Sequence, residues 1–441
     1  MKEKLCADLQ VVVLVGGIGK RLGALTENTP KPLIKIHDRP FFEYQLNLMR
    51  QAGFKKFLFC TGYHSKDIEN YFGNGEKFGV DISYSYDGEN LKGTGGAIVN
   101  ALNKLEENFM LVYGDSFMDV NYFEIVVKFY ECLKNFNQPA LMSIIKNKNR
   151  WDKSNVLFEN GQIKIYDKHE NSYLSQMQYI DYGINIFNRK IFEGINLKNG
   201  VLDLADIQNK LSLENKISAC EVLNRFYEIG SPKSLNEFTD YVQKRFINSN
   251  KAIFLDRDGV INQIVWNENI EQLDSPMTPE EFVLLPNVIE ALKILRDKNY
   301  LLFIITNQPA AAKGKTKYLT LCEINKKFLN LMRENNIEIA DIEMCPHHEK
   351  GSDFAKEKFL IHECDCRKPK TGMIENICAK FNIDIKNSWM VGDSVSDIIC
   401  GRNAELKTAF IGELKCDACK ILNCERPDTI YKNILNFAEN L

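Results

Sequence analysis

Long apolar runs are missing. The longest, such as Val11–Val15 and Leu301–Ile305, are strand-sized and fall far short of the roughly 20 residues that span a bilayer. No segment is therefore expected to cross a membrane. An excess of one charge is missing as well: 56 Lys and Arg against 59 Asp and Glu leave a net charge of −3, which excludes the basic footprint of a nucleic-acid or anionic-surface binder. Internal repeats and low-complexity tracts are absent. The opening MKEKLCADLQVVVLVGG has only a short apolar run and leads into Gly16-Gly17-Ile18-Gly19-Lys20-Arg21 rather than a small-residue cleavage site. It is read as the start of a cytoplasmic protein, not as a signal peptide. Thirteen cysteines, an odd number, then count as reduced thiols, and a cluster of them points to metal before disulfides.

What is present implies two domains, because 441 residues exceed what one hydrophobic core organises. One α/β series begins near Leu9: a buried strand, a glycine turn, a helix near 42–51, the strand KKFLFCTG, another helix, and FMLVYGD at 109–115. A second begins at Lys251 with KAIFLD, the helix NVIEALKILRDKN, the strand YLLFIITN, the helix LTLCEINKKFLNLMREN and a late strand SWMVGD. Alternation of this kind predicts an α/β fold class: two domains, each a mainly parallel sheet flanked by helices. A closing helix LNEFTDYVQKRF and the polar joint INSN at 247–250 set the expected domains at 1–246 and 251–441.

Residues Leu14–Leu33, LVGGIGKRLGALTENTPKPL, are neither a Walker loop nor a dinucleotide fingerprint, because the required Gly-Lys-Ser/Thr and third glycine are absent. They offer a strand ending in Gly16, Gly17 and Gly19, whose backbone N–H groups can approach a phosphate chain, with Lys20, Arg21 and Lys31 to neutralise it. This stretch resembles the G-G-x-G-x-R-L…P-K-P signature of the sugar-1-phosphate nucleotidyltransferases. Further similarities follow in order: LKGTGGAI at 91–98, YGDSF at 113–117, YDKH at 166–169 and YEIGSPKSL at 227–235. The resemblance implies that Gly16, Gly17 and Arg21 hold a triphosphate and that Gly93, Thr94 and Gly95 hold its base. Lys31 and Lys168 would bind the phosphates of the two substrates, and Asp115 and Glu228 would bind Mg2+. Aspartate is usual in that family where Glu228 stands.

In IFLDRDGVIN, Asp256 and Asp258 follow an apolar strand two residues apart, so alternation directs both carboxylates to one face at its carboxyl end, where open parallel sheets bind ligands. One can attack phosphorus while the other protonates a leaving alcohol and then activates water. The segment resembles motif I of the haloacid dehalogenase phosphatase superfamily, and IITNQ, CRKPKTGM and MVGDSVSD at 304–308, 366–373 and 390–397 resemble its motifs II to IV. By that resemblance Asp256 is the nucleophile, Asp258 the acid/base, and Thr306 and Lys368 the phosphoryl-binding pair. Asp393, the Asp256 carboxylate and the Asp258 carbonyl would hold Mg2+. Asp397 is read as an outer acid or a helix-start residue.

The pairs Cys345/His347 and Cys364/Cys366 flank a polar loop with the C-x-H and C-x-C spacing of a closed tetrahedral Zn2+ site, with His348 and His362 as spare residues. Cys416, Cys419 and Cys424 are read as reduced surface thiols. This loop resembles that of the histidinol-phosphate phosphatase branch, particularly the heptose bisphosphate phosphatases, and implies that Asn262, Lys313 and Arg367 touch the sugar or a second phosphate. Together the resemblances imply a bifunctional enzyme that dephosphorylates a heptose 1,7-bisphosphate and adds a nucleotidyl group, from GTP, to the heptose 1-phosphate. Its partners would be nucleoside triphosphates and heptose phosphates, with oligomerisation left open. A nucleotidyltransferase for another sugar 1-phosphate fused to a histidinol-phosphate or other sugar-phosphate phosphatase, and a sugar-phosphate or nucleotide sensor with one retired site, are the alternatives. The sensor reading is weakened because every residue that the chemistry requires is present.

Overall fold

The computed structural model describes residues 2–17, 20–88, 91–168, 175–197, 200–268, 271–412 and 426–441. Cys416, Cys419 and Cys424 lie outside the described residues, as does Gly19. The chain divides into two compact units, Lys2–Val242 and Gln243–Leu441. No helix among the described residues is long and apolar enough to cross a membrane.

In the first unit the buried run Gln10–Leu14 forms β1, followed by β2 (Lys56–Thr61), β3 (Asp81–Tyr86) and β4 (Asn108–Tyr113). These four are parallel, in the order β3-β2-β1-β4. The first and last steps of the chain thus leave β1 on opposite sides, creating a crevice at the carboxyl ends of β1 and β4 where ligands bind in such sheets. Helix Phe41–Gln51 supports this half, with Phe42 edge-on to Phe59 of β2 at a ring separation of 5.6 Å. Beyond β4 the chain makes β5 (Ser116–Phe117), β6 (Ala140–Lys146), β7 (Val156–Glu159), β8 (Gln162–Tyr166), β9 (Tyr179–Asn188), β10 (Ile217–Glu221) and β11 (Tyr227–Glu228). Here the sheet becomes mixed: β9 runs antiparallel to β4 and β6, whereas β10 runs parallel to β6. The short β11 pairs with β5 apart from the main sheet.

The second unit starts its own sheet at β12 (Ala252–Leu255), with β13 (Leu301–Asn307), β14 (Asp341–Cys345), β15 (Trp389–Gly392), β16 (Lys407–Ile411) and β17 (Thr429–Tyr431). The order is β14-β13-β12-β15-β16-β17, and every pairing is parallel. All four residues of β12 are buried, as a strand covered on both faces requires. Again the order reverses beside the first strand, between β12 and β15.

Residues 243–250, read from the sequence as a helix end and a polar joint, are docked on the second unit. After helix Pro232–Val242 the backbone widens into a π-type turn, Gln243–Ile247. Arg245 is buried; its Nε donates to the Lys380 carbonyl at 3.0 Å and its guanidinium carbon lies 4.0 Å from the Phe381 ring centroid. The Asn250 N–H donates to Asn382 O, and Asp384 N–H donates back to Asn250 O. A buried guanidinium deprived of such partners is costly, and so is their loss. Arg245→Ala is therefore expected to destabilise the second unit by about 2 kcal/mol. The measurement is its urea midpoint, which would stay at the wild-type value if 243–250 were an independent tether.

Candidate active sites and a candidate metal centre

Three glycines make the floor of the first crevice. Gly16, Gly62 and Gly114 follow β1, β2 and β4, and a Cβ on Gly62 would lie 2.5 Å from Leu91 Cδ2, whereas one on Gly114 would lie 2.4 Å from Val15 Cγ1. Gly16 would bring a Cβ within 3.0 Å of Gly62 N. Gly17, in contrast, is exposed with open space where a side chain would stand, leaving its backbone accessible to a ligand. The side chain of Arg21 lies outside the described residues.

Across this floor Lys31 Nζ meets Asp115 Oδ2 at 2.8 Å, with the lysine largely buried. Glu228 pairs with Ser116, the residue after Asp115, and Ile229 N–H donates to Asp115 O at 3.1 Å. The backbones of the two residues are thus brought side by side by β5 and β11. One or two carboxylates completed by substrate phosphates and water make a fitting Mg2+ donor set.

Gly93, Thr94 and Gly95 open helix Gly93–Asn100, but their nearest demand is internal. Gly93 has φ 77°, and its missing Cβ would strike Leu202 O at 2.5 Å. Gly95 N–H donates to the same carbonyl, and Thr94 Oγ1 donates to Asp203 Oδ1 at 2.9 Å. Lys168 is exposed, and its charge acts on Asp181. Burial raises the Asp181 carboxyl above the usual range, opposed by the Gly183 N–H, Lys168, Gln208 and Asn185. A lone Asp within a strand carries no sequence motif; the register of β9 is irregular between Asp181 and Asn185.

In the second unit Asp256 follows β12 and Asp393 follows β15, so the reversal of strand order brings them together. Oxygens of Asp256, Asp393 and Asp397 all lie within 4.8 Å of one another. Lys368 Nζ stands between two of these acids, 2.6 Å from Asp256 Oδ1 and 2.7 Å from Asp397 Oδ1, and donates to Ile305 O at 2.8 Å. Burial works against its charge, but Asp256 and Asp397 raise its pKa above the ordinary lysine value. Three acids against one ammonium leave a negative deficit. Burial, then the charges of Asp397 and Asp258, push Asp256 up to about 7 against the pull of Lys368; burial, Asp256 and Asp397 push Asp393 to about 7. Such a pocket fits a divalent cation with oxygen ligands. Gly259, at φ 84°, keeps it open, since a Cβ there would lie 1.9 Å from Asp393 Oδ2.

Asp397 combines both of its expected roles. Its Oδ2 accepts from Ser394 N–H at 3.0 Å in the capping box of helix Val395–Asn403, and its other oxygen faces Lys368. Asp258 is held differently: burial would raise its pKa, but Arg257, Ser275 and Gln308 outweigh burial and lower it. Thr306 is buried at the end of β13, where its Oγ1 accepts from Gln308 Nε2 at 3.0 Å.

The expected substrate contacts separate. Asn262 is wholly buried and donates to Gln263 O at 2.9 Å, while its own carbonyl accepts from Gly259 N–H. These bonds close the loop after Asp258. Lys313 is exposed, and burial, Lys315 and Arg367 lower its pKa. His348 is lowered by burial, Lys313 and Arg367, so the histidine read as spare sits beside a cationic group suited to a second phosphate.

The thiol pairs converge as the spacing predicted. Cys345 Sγ lies 3.6 Å from Cys364 Sγ, Cys364 Sγ lies 3.4 Å from Cys366 Sγ, and His347 Nδ1 lies 3.2 Å from Cys366 Sγ and 3.9 Å from Cys345 Sγ. A disulfide needs about 2.05 Å, whereas a tetrahedral ion with bonds of about 2.0–2.3 Å needs edges of this size. The four residues can hold a metal ion. His362 packs beside His347, its ring tilted by 41° with centroids 4.4 Å apart, and is not part of the cluster.

Comparison with known proteins adds the family. The nucleotidyl transferase profile matches residues 10–245, and the HAD-hydrolase-like profile matches residues 365–437. The chain belongs to the nucleotidyl transferase family in its first unit and to the HAD-like phosphatases in its second. A D-glycero-alpha-D-manno-heptose 1-phosphate guanylyltransferase of Aneurinibacillus thermoaerophilus is 30% identical over 239 residues, covering 53% of this chain and 100% of the relative. A D-glycero-beta-D-manno-heptose-1,7-bisphosphate 7-phosphatase of Pasteurella multocida is 34% identical over 161 residues, 36% of this chain and 80% of its own. A D-glycero-alpha-D-manno-heptose-1,7-bisphosphate 7-phosphatase of Photorhabdus laumondii is 38% identical over 164 residues, 37% of this chain and 83% of its own. The transferase–phosphatase chain is therefore a fusion of two enzyme types that occur as separate proteins.

The raised carboxyls of the phosphatase unit have a measurable consequence. Native Asp256 and Asp393 hold protons more tightly than the unfolded chain, so the native state binds more protons between the ordinary carboxylate range and about 7. Stability of the metal-free unit is then expected to fall as pH rises through that window. Urea midpoints measured in chelator across the window test this; a rise with pH would contradict it.

Proposed function

We propose that the chain carries out two consecutive steps of nucleotide-activated heptose synthesis in the cytoplasm. The second unit removes the 7-phosphate of a D-glycero-D-manno-heptose 1,7-bisphosphate, and the first transfers guanylyl from GTP to the resulting heptose 1-phosphate, releasing pyrophosphate. The observation that carries the reading is the meeting of Asp256, Lys368, Asp393 and Asp397 at the reversal point of a parallel sheet, together with the Lys31–Asp115 pair at the corresponding point of the other sheet.

In the phosphatase step an Asp256 oxygen attacks phosphorus, and the bond to the sugar oxygen breaks with its electron pair on that oxygen. Asp258, on which the negative charge of the bound phosphate opposes Arg257, Ser275 and Gln308 and favours the protonated form, gives it a proton. Asp258 then takes a proton from water as the water oxygen attacks the phosphorus, releasing Asp256 as a carboxylate and phosphate as the second product. Lys368 and Thr306 hold the phosphoryl oxygens throughout. Mg2+ held by Asp256, Asp393 and the Asp258 carbonyl would supply charge neutralisation. Arg367 and Lys313 receive the remaining phosphate.

In the transferase step the sugar phosphate oxygen attacks the α-phosphorus, and the α–β bridging oxygen leaves with pyrophosphate. No protein nucleophile is needed, so positioning and charge do the catalysis. Gly16, Gly17, Gly19 and Arg21 carry the triphosphate, Gly93–Gly95 its base, Lys31 and Lys168 the substrate phosphates, and Asp115 and Glu228 the Mg2+. Zn2+ in the Cys345, His347, Cys364 and Cys366 cluster would pin the loop bearing Arg367 and Lys368.

Two single substitutions separate the activities. Asp256→Asn is expected to abolish phosphate release from heptose bisphosphate while leaving pyrophosphate release from GTP and heptose 1-phosphate intact. Asp115→Ala is expected to do the reverse, by at least about a hundredfold. Loss of both activities in either folded variant, or faster release from histidinol phosphate than from heptose bisphosphate, would refute the assignment. Cys364→Ser should also remove one equivalent of protein-bound zinc by elemental analysis; unchanged zinc would exclude the cluster.

A further inference from the structure

We infer that Arg257 and Gln308 form a positioning clamp on Asp258, fixing the acid/base carboxylate relative to Thr306. The inference rests on the phosphatase reading above and adds residues that no motif assigned.

Arg257 lies between the two aspartates and is fully buried. A guanidinium keeps its charge in proteins, so a buried one requires partners. Its Nε donates to Asp258 Oδ1 at 3.1 Å, and its Nη1 donates to Asn325 Oδ1 at 2.9 Å. Asn325 is carried by helix Tyr318–Glu334. The fork is thereby anchored on a second element, and its carboxylate partner cannot swing without leaving a buried charge unpaired.

Gln308 takes the other oxygen. It is fully buried, and its backbone N–H donates to Cys345 O at 2.8 Å, which ties it to the end of β14. Its amide has two N–H groups and uses both: Nε2 donates to Asp258 Oδ2 at 2.6 Å and to Thr306 Oγ1 at 3.0 Å. One amide therefore holds the proton donor in register with the end of β13, where Thr306 stands. Arg257 and Gln308 are held away from the reacting atoms; they act through Asp258 and Thr306.

Positioning of a general acid matters in proportion to how poor the leaving group is. A sugar alkoxide needs a proton as its bond to phosphorus breaks, whereas 4-nitrophenolate does not. The experiment compares Gln308→Met, Arg257→Lys and Asp258→Asn in the full chain with Mg2+, using single-turnover release of the leaving group, heptose 1-phosphate or 4-nitrophenol, which precedes the water-attack step common to both substrates. Gln308→Met is expected to slow the sugar phosphate about 10- to 100-fold, within the usual range for general acid–base catalysis, and the aryl phosphate less than about threefold. Arg257→Lys should follow the same pattern, and the apparent affinity for either substrate should change little. Equal losses on both substrates in Gln308→Met, with Asp258→Asn still selective for the sugar phosphate, would overturn the clamp. Equal losses in Asp258→Asn itself would instead overturn the acid/base assignment on which it rests. Circular dichroism of Gln308→Met decides whether it is folded; should Arg257→Lys fail to fold, the glutamine variant carries the test alone.

Discussion

A buried ammonium between two buried carboxylates organises the phosphatase unit. Lys368 comes from a loop between β14 and the helix that follows, Asp256 from the end of β12, and Asp397 from the first turn of a helix. None of these charges is tolerable alone in such surroundings, because desolvation of an isolated ion costs several kcal/mol. Their mutual pairing therefore fixes three separate chain segments at once. The pairing is also incomplete by design of its stoichiometry, since a third acid, Asp393, joins the group and leaves room for a cation and an incoming phosphate to share the field.

The first unit solves a related problem with fewer charges. Its crevice must hold two phosphate-bearing substrates that repel one another. Glycines at the ends of three adjacent strands remove side chains from the floor, and Lys31 reaches across to Asp115. The glycines of Gly93–Gly95 illustrate a second use of the same residue. Their missing side chains admit the Leu202–Leu204 segment, and positive φ at Gly93 starts the helix. Close backbone packing thus accounts for part of a motif that sequence reading assigned wholly to ligand.

The metal-ligand loop links structure to chemistry in the second unit. Cys345 ends β14, where its carbonyl receives the Gln308 N–H, and Cys366 directly precedes Arg367 and Lys368. An ion at this cluster would bear on Thr306 and Asp258 through Gln308, and on the cationic side through the loop itself. Local order around the phosphatase centre is therefore shared between the sheet and the cluster.

The α/β fold class, the strand that opens the second sheet, the D-x-D pair and the paired thiol spacing were legible in the chain, because strand periodicity and short-range ligand spacing are local properties. The spacing of Cys345, His347, Cys364 and Cys366 predicted their convergence with no knowledge of their neighbours. Residues whose meaning depends on distant partners were not legible: Gln308 and Arg257 carry no signal of their contacts with Asp258, Thr306 and Asn325, and Asn262 none of its burial. The antiparallel half of the first sheet and the docking of Arg245 on Lys380 and Phe381 also had no local signature. Sequence alone determined which chemical groups were available and near which strand ends. Tertiary structure decided which of them face one another, since pairing a buried charge or a buried amide is settled only when segments remote in the chain are brought within hydrogen-bonding distance.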